Sequence, residues 1–173
     1  MSPTSRVSSR PVTTSTGNPE DLIPAPAQRL VLGKAAPDFY RTMIALDAAA
    51  AAGLDPVIVE LIKLRASQIN GCAYCLDMHT HDARKIGIGE QKITGVGAWR
   101  ETPFFTARER AALALTEAVT RLGEHGVADD VYDEAARVFN KDELPRVIAM
   151  AVTINAWNRI AITTRASPVL RPA

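Results

Sequence analysis

Apolar residues recur along this chain at helical intervals, and no segment alternates as a half-buried strand would. Over 37–52, PDFYRTMIALDAAAAA sets Phe39, Met43, Leu46 and Ala50 on one expected core side, and Gly53 closes the segment. Over 55–69 a second helix is predicted: Asp55 can cap it, Pro56 suits its first position, and Asn70-Gly71 stops it. A third is predicted from Cys72 to about 86, ended by Gly87. The glycine-bearing stretch GIGEQKITGVGAW supports at best a short helix, and Pro103 marks a break. Thr106 and Glu109 have capping-box spacing. The helix they open runs to about 122, with Ala112, Leu115 and Val119 on one side and Gly123 and Gly126 at its end. Asp129 or Asp130 caps a shorter helix through 139. Asp142 then starts the longest element, about 143–164, whose middle VIAMAVTINAW is apolar nearly all round. That pattern belongs to the buried centre of a bundle or to a subunit interface. The predicted fold class is all-α, a compact helical bundle.

Composition narrows this reading without changing it. At 173 residues the chain suits one domain, and an aromatic content of 5% within 47% apolar residues favours closely packed helices over a β-sandwich. Three regions are expected: a disordered or extended arm over 1–28, a helical domain over 29–166, and a tail over 167–173. The apolar end of the arm, Arg29 to Leu32, is expected to pin against the domain. A net charge of +1 with no basic block argues against nucleic acid as a partner. No run of about 18 apolar residues predicts a membrane span. The Ser- and Arg-rich N-terminus lacks the apolar core of a secretory signal, and Pro3 and Pro11 spoil an amphipathic helix, so a cytoplasmic protein is expected.

Chemistry concentrates in ELIKLRASQINGCAYCLDMH, residues 60–79, which holds both cysteines of the chain. At about 100° per helical residue, Cys75 lies about 60° from Cys72 and His79 falls between them, so the three side chains share one face. Two thiols near an imidazole and the positive end of a helix make a redox candidate, because the thiolate is the reactive form. In a reducing compartment a lone C-x-x-C is catalytic or metal-binding rather than a staple. Glu60 has Val57 and Leu64 on its own face, and a carboxyl group in apolar surroundings can shuttle protons. Its plainer role is a surface pair with Lys63, and that of the cysteines is inert packing. His81 falls on the opposite side of its helix and His125 in a Gly-flanked loop, so both are read as surface. Tyr74 points away from both thiols, and Trp157, Asn158 and Arg159 read as core or interface residues, with pocket lining as the alternative. A zinc site with Cys72, Cys75 and His79 needs a fourth ligand, for which Glu60 is the nearby option.

The spacing Glu60, eleven residues, Cys72, two, Cys75, three, His79, with SQINGCAYCLDMH and the later Asn155-Ala156-Trp157-Asn158-Arg159, resembles the alkylhydroperoxidase D core of the carboxymuconolactone decarboxylase superfamily. The resemblance covers roughly Arg29 to Arg165. It implies an all-helical subunit assembled as a homotrimer or homohexamer and acting as a thiol-dependent peroxidase without a cofactor. By that resemblance Cys75 is the peroxidatic thiol, Cys72 resolves it through a Cys72–Cys75 disulfide, and Glu60 and His79 form a proton relay. An external dithiol, on a lipoyl-bearing or peroxiredoxin-system protein, would restore the pair. The best-studied type of the family has a histidine where this chain has Tyr74. A phenol of pKa about 10 cannot act as the base near neutral pH, so the relay runs through His79 or a water. Lyase chemistry, as in the superfamily's decarboxylase branch, and disulfide reduction without peroxide are the alternatives.

Overall fold

The computed structural model describes residues 23–170. Within them lie eight α-helices: α1 (Leu32–Ala35), α2 (Pro37–Ala51), α3 (Pro56–Asn70), α4 (Ala73–Lys85), α5 (Glu90–Gly95), α6 (Ala107–Thr120), α7 (Asp129–Val138) and α8 (Leu144–Thr164). A kinked 3-10 turn, Val96–Glu101, joins α5 to α6. Among the described residues there is no strand, so the all-α reading stands. Most of the expected arm, 1–22, lies outside the described residues; 23–31 forms no regular structure. Of the expected pin over Arg29 to Leu32 only a part forms: the Arg29 N–H donates to the Thr164 carbonyl at 2.9 Å and its guanidinium to the Thr163 carbonyl at 3.2 Å, while Leu30 and Val31 are exposed.

Helix α3 is the axis of the bundle, packing against α8, α4 and α6. Its sequence is apolar on two sides, and each side fills a different cluster. Ile58, Ile62 and Ala66 join Cys72, Cys75, Leu115, Met150 and Ile154 on one side. Leu61 and Leu64 join Trp99, Phe105 and Leu113 on the other. Side chains such as Leu61 and Ile62, fully buried, each contribute roughly 1.5–3 kcal/mol by leaving water. Because both faces of α3 are occupied, polar residues on it are buried too: Lys63 and Ser67 have almost no exposure.

The ends of α3 follow the sequence closely. Asp55 accepts from the Val57 N–H at 2.8 Å, and Pro56 opens the helix. At the other end Gly71 takes φ 68°, with nothing within 4 Å of where a Cβ would stand, so conformation and not space selects glycine. The Gly71 N–H bonds to the Gln68 carbonyl at 3.3 Å and the Cys72 N–H to the Ser67 carbonyl at 3.0 Å. This is a Schellman ending. Cys72 therefore finishes α3 and is also the N-cap of α4, which starts one residue later than the sequence suggested.

Three boundary expectations are corrected. Phe39 and Leu46 are exposed, while Met43 and Ala50 are buried. Beyond the short α1, α2 packs chiefly on α8, so its buried stripe is narrower than its apolar stripe. Asp142 does not cap α8: Asn140 Oδ1 accepts from the N–H groups of Asp142 and Glu143, each at 2.9 Å, and sets the turn. Asp129 and Asp130 sit inside the first turn of α7, where their charge favours the helix dipole, and Ala128 holds the cap position. The Thr106–Glu109 capping box forms as predicted, and Val119 packs beside the buried Ala112 and Leu115.

Candidate active site

The Schellman turn brings the cysteines together. Cys72 Sγ, at the N-cap, accepts from the Cys75 N–H at 3.4 Å, and the two sulfurs share a hydrogen bond of 2.7 Å. Both cysteines are free thiols and each is 2% exposed. The Cys72 thiol is lowered to about 7: the hydrogen bond from Cys75 favours its anion against burial, with help from the Cys75 N–H and the Asn158 amide. The Cys75 thiol is pushed up by the same bond, by burial and by the charge on Cys72. The pair thus loses one proton near neutrality and keeps the second, which the two sulfurs share.

One turn beyond Cys75 on α4, His79 turns its Nδ1 to Glu60 Oε2 of α3, 3.1 Å away, and both side chains are largely buried. Glu60 is thus paired with the imidazole and not with Lys63. Lys63 reaches instead to Asp47 of α2, with Nζ 2.9 Å from Oδ2. His79 Nδ1 faces the carboxylate, and among the described residues no group of three or more His, Cys, Asp or Glu side chains is arranged to hold a metal ion. The zinc geometry considered from the sequence is not formed.

A cavity of about 820 Å³ opens over these groups, walled by α2, α4, the end of α8 and the segments around 28–34 and 166–169. Cys75, His79 and Lys63 line it, whereas Cys72 and Glu60 do not. Apolar side chains also line it, among them Met78 and an edge-to-face pair of Tyr40 and Trp157 at 5.4 Å. Tyr74 also lines it and is 38% exposed, so it is a pocket residue and not mere packing. His125 is exposed as expected, while His81 is half-buried.

Sequence reasoning missed the Asp47–Lys63 pair and the amide cluster behind the thiols. A lysine between Ile62 and Leu64 was the available signal for the first. In the second, Asn70 Nδ2 donates to Oδ1 of both Asn155 and Asn158, each at 2.9 Å, and Asn158 Nδ2 donates to Ser67 Oγ at 3.0 Å. Among the described residues no helix is long and apolar enough to cross a membrane.

The chain is similar to known proteins in sequence and in fold. The carboxymuconolactone decarboxylase family profile matches residues 37–118. The uncharacterized protein YdfG of Bacillus subtilis (strain 168) is 44% identical over 103 residues, 60% of this chain and 70% of that protein. Alkyl hydroperoxide reductase AhpD of Frankia alni is 40% identical over 53 residues, 31% of this chain and 29% of that one. A crystal structure from Agrobacterium tumefaciens, of a protein of unknown function suggested to be the antioxidant defence protein AhpD, superposes with a TM-score of 0.81. It is 38% identical and covers 84% of this chain and 100% of that one. The chain belongs to the carboxymuconolactone decarboxylase family and has its alkylhydroperoxidase D-like all-helical core.

Proposed function

We propose that this protein is a cysteine-based peroxidase that reduces organic hydroperoxides. Its relatives point to a peroxidase-like or a decarboxylase-like role, and the observation favouring the first is the sulfur pair: two thiols 2.7 Å apart, of which Cys75 lines the cavity and Cys72 does not. A decarboxylase has no use for that pair. The Cys75 proton passes along the sulfur contact or to His79, and the Cys75 thiolate attacks the terminal peroxide oxygen. The O–O bond breaks, Cys75 becomes a sulfenic acid, and the leaving alkoxide takes a proton to depart as the alcohol. Cys72 then attacks the sulfenic sulfur, water leaves, and the Cys72–Cys75 disulfide remains, the two electrons of the dithiol having gone to the peroxide oxygens, now in the alcohol and the water. An external dithiol, on a lipoyl-bearing or peroxiredoxin-system protein, reduces it by exchange and is itself oxidised to a disulfide.

In this scheme His79 is the proton carrier. Glu60 accepts from Nδ1–H and so directs the lone pair of Nε2 toward the cavity. Tyr74 has no part in proton transfer. The apolar outer face of α8, where Val152 is 52% and Ile162 45% exposed, supports assembly as a homotrimer or homohexamer.

Replacing Glu60 with Gln, or His79 with Gln, is expected to lower the rate of hydroperoxide consumption by about 10²–10⁴-fold, the usual worth of a positioned acid–base group. A stopped-flow assay with cumene hydroperoxide and dihydrolipoamide measures it. Wild-type protein that does not consume hydroperoxide, or activity that survives loss of both thiols, would move the assignment to the lyase branch.

A further inference from the structure

The amide cluster on α8 carries an inference that rests on the proposed cysteine chemistry and goes beyond it. Asn158 has no exposure at all. It lies on the stripe of α8 that faces the thiols: Ile154, four residues before, and Ala161, three after, pack in the same cluster as Cys72 and Cys75. A leucine or alanine would continue that stripe without burying an amide, which costs free energy wherever its hydrogen bonds are incomplete. The polar group is therefore placed there against the trend of the surrounding sequence.

Its orientation is fixed by its neighbours. Asn70 Nδ2 carries two protons and has two acceptors, Asn155 Oδ1 and Asn158 Oδ1, each at 2.9 Å. Oδ1 of Asn158 thus faces Asn70, and Nδ2 must face the other way, where it donates one proton to Ser67 Oγ at 3.0 Å. Asn70 and Ser67 also belong to the turn that sets Cys72, since the Cys72 N–H is held by the Ser67 carbonyl at 3.0 Å. Nδ2 carries a second proton besides the one given to Ser67, and as a hydrogen-bond donor the Asn158 amide lowers both thiols. Asn155 is anchored in turn, accepting from Arg159 Nη1 at 2.9 Å and donating to Thr120 Oγ1 at 2.9 Å, so the chain of amides cannot easily swing away.

We propose that Asn158 aims its second Nδ2 proton at the Cys72–Cys75 pair, holds the pair's negative charge, and thereby sets how readily the disulfide is reduced. A donor to the thiolate stabilises the reduced, ionised form over the disulfide, so it raises the reduction potential. The direction agrees with the amide's lowering effect on both thiols. Cys72 receives this donor and the helix N-terminus together, from elements far apart in sequence.

Asn158→Asp tests it with little change of shape. Its carboxylate can still accept from Asn70 and from the Ser67 hydroxyl, but it presents an acceptor where the sulfurs met a donor. The pH at half-maximal alkylation by iodoacetamide is expected to rise by about one unit, a tenfold loss of thiolate at neutral pH. Equilibration with a dithiothreitol buffer is expected to shift about tenfold toward the disulfide, or about 30 mV more negative. Asn158→Ala, which removes the donor without adding charge, should move both quantities in the same direction. In unaltered protein the Asn158 side-chain amide resonances should titrate with a midpoint near 7, and stop doing so once the cysteines are alkylated. Folded variants with alkylation profile and potential within twofold of wild type, or amide resonances that ignore the thiol titration, would overturn the proposal. None of these readouts uses peroxide. A protein that shows the shifts but consumes no hydroperoxide would sink the peroxidase assignment and leave this one standing.

Discussion

Cys75→Ser is expected to reduce hydroperoxide turnover by at least about 10³-fold, because it removes the sulfur on the cavity wall and leaves the relay with nothing to activate. Cys72→Ser should behave differently. Cys72 does not line the cavity, so its loss spares the first step and blocks the second: one equivalent of hydroperoxide is reduced, a sulfenic acid accumulates on Cys75, and turnover stops. Single-turnover kinetics with a sulfenic-acid trap such as dimedone separates the two. Equal single-turnover activity in both variants would mean that the sulfurs are interchangeable and that access through the cavity does not decide their roles. Losing Cys72 also removes a hydrogen bond and a negative charge that hold the Cys75 proton in place. The remaining thiol should therefore ionise more easily than in the pair, and the first step should not be slowed by the loss of its neighbour.

Glu117→Ala is expected to be the most destabilising exchange of a polar residue, at about 3–5 kcal/mol, the usual cost of leaving a buried charge without its partner. Glu117 Oε1 accepts from Arg65 Nε at 2.7 Å and from Trp99 Nε1 at 2.9 Å, while Arg100 pairs with Oε2. The carboxylate ties α3 and the 3-10 turn to α6, and Arg65 is itself only 13% exposed. A drop of about 6–20 °C in Tm follows for a chain of this length, measured by calorimetry. Replacing Arg65 and Glu117 together with Met and Leu should cost less than Glu117→Ala alone, since no buried charge is then left unpaired, Arg100 being more than half exposed. The pH dependence has a definite sign. Burial raises the Glu117 pKa, but the bonds from Arg100, Trp99 and Arg65 outweigh it and hold the group below its ordinary value. Its contribution is therefore complete above the unfolded carboxyl pKa, about 4.3, and is lost as pH falls through the lower folded value. Wild-type protein should lose stability over that acidic range, and the double variant less so.

Local rules made most of the fold legible, and where two helices meet they stopped working. Asp55, Pro56, Gly71 and the Thr106–Glu109 box could be read because each acts on its own backbone within a few residues. The shared face of Cys72, Cys75 and His79 was legible for the same reason: it is a property of one helix. Phe39 and Leu46 were misplaced because a helical stripe says which residues could be buried, not how wide a partner covers them. The Glu60–His79 contact could be suspected, since both residues flank a tight turn between antiparallel helices. The Lys63–Asp47 pair and the Asn70–Asn155–Asn158–Ser67 cluster could not. Their members lie 16 and 85–91 residues apart, and only the assembly of the bundle, with α8 on α3 and α2 on α8, brings them together. An asparagine inside an apolar helix was the visible trace of the second.

The central claim is that the Cys72 and Cys75 sulfurs pass electrons to an oxidant as a pair. Intact-mass and peptide mass spectrometry of reduced protein, after one equivalent of organic hydroperoxide, tests it directly. The account predicts a loss of two hydrogens, traced to a bond between Cys72 and Cys75, with one equivalent of alcohol released. An unchanged mass with both thiols still open to alkylation, or oxidation that stops at one cysteine without linking it to the other, would contradict it.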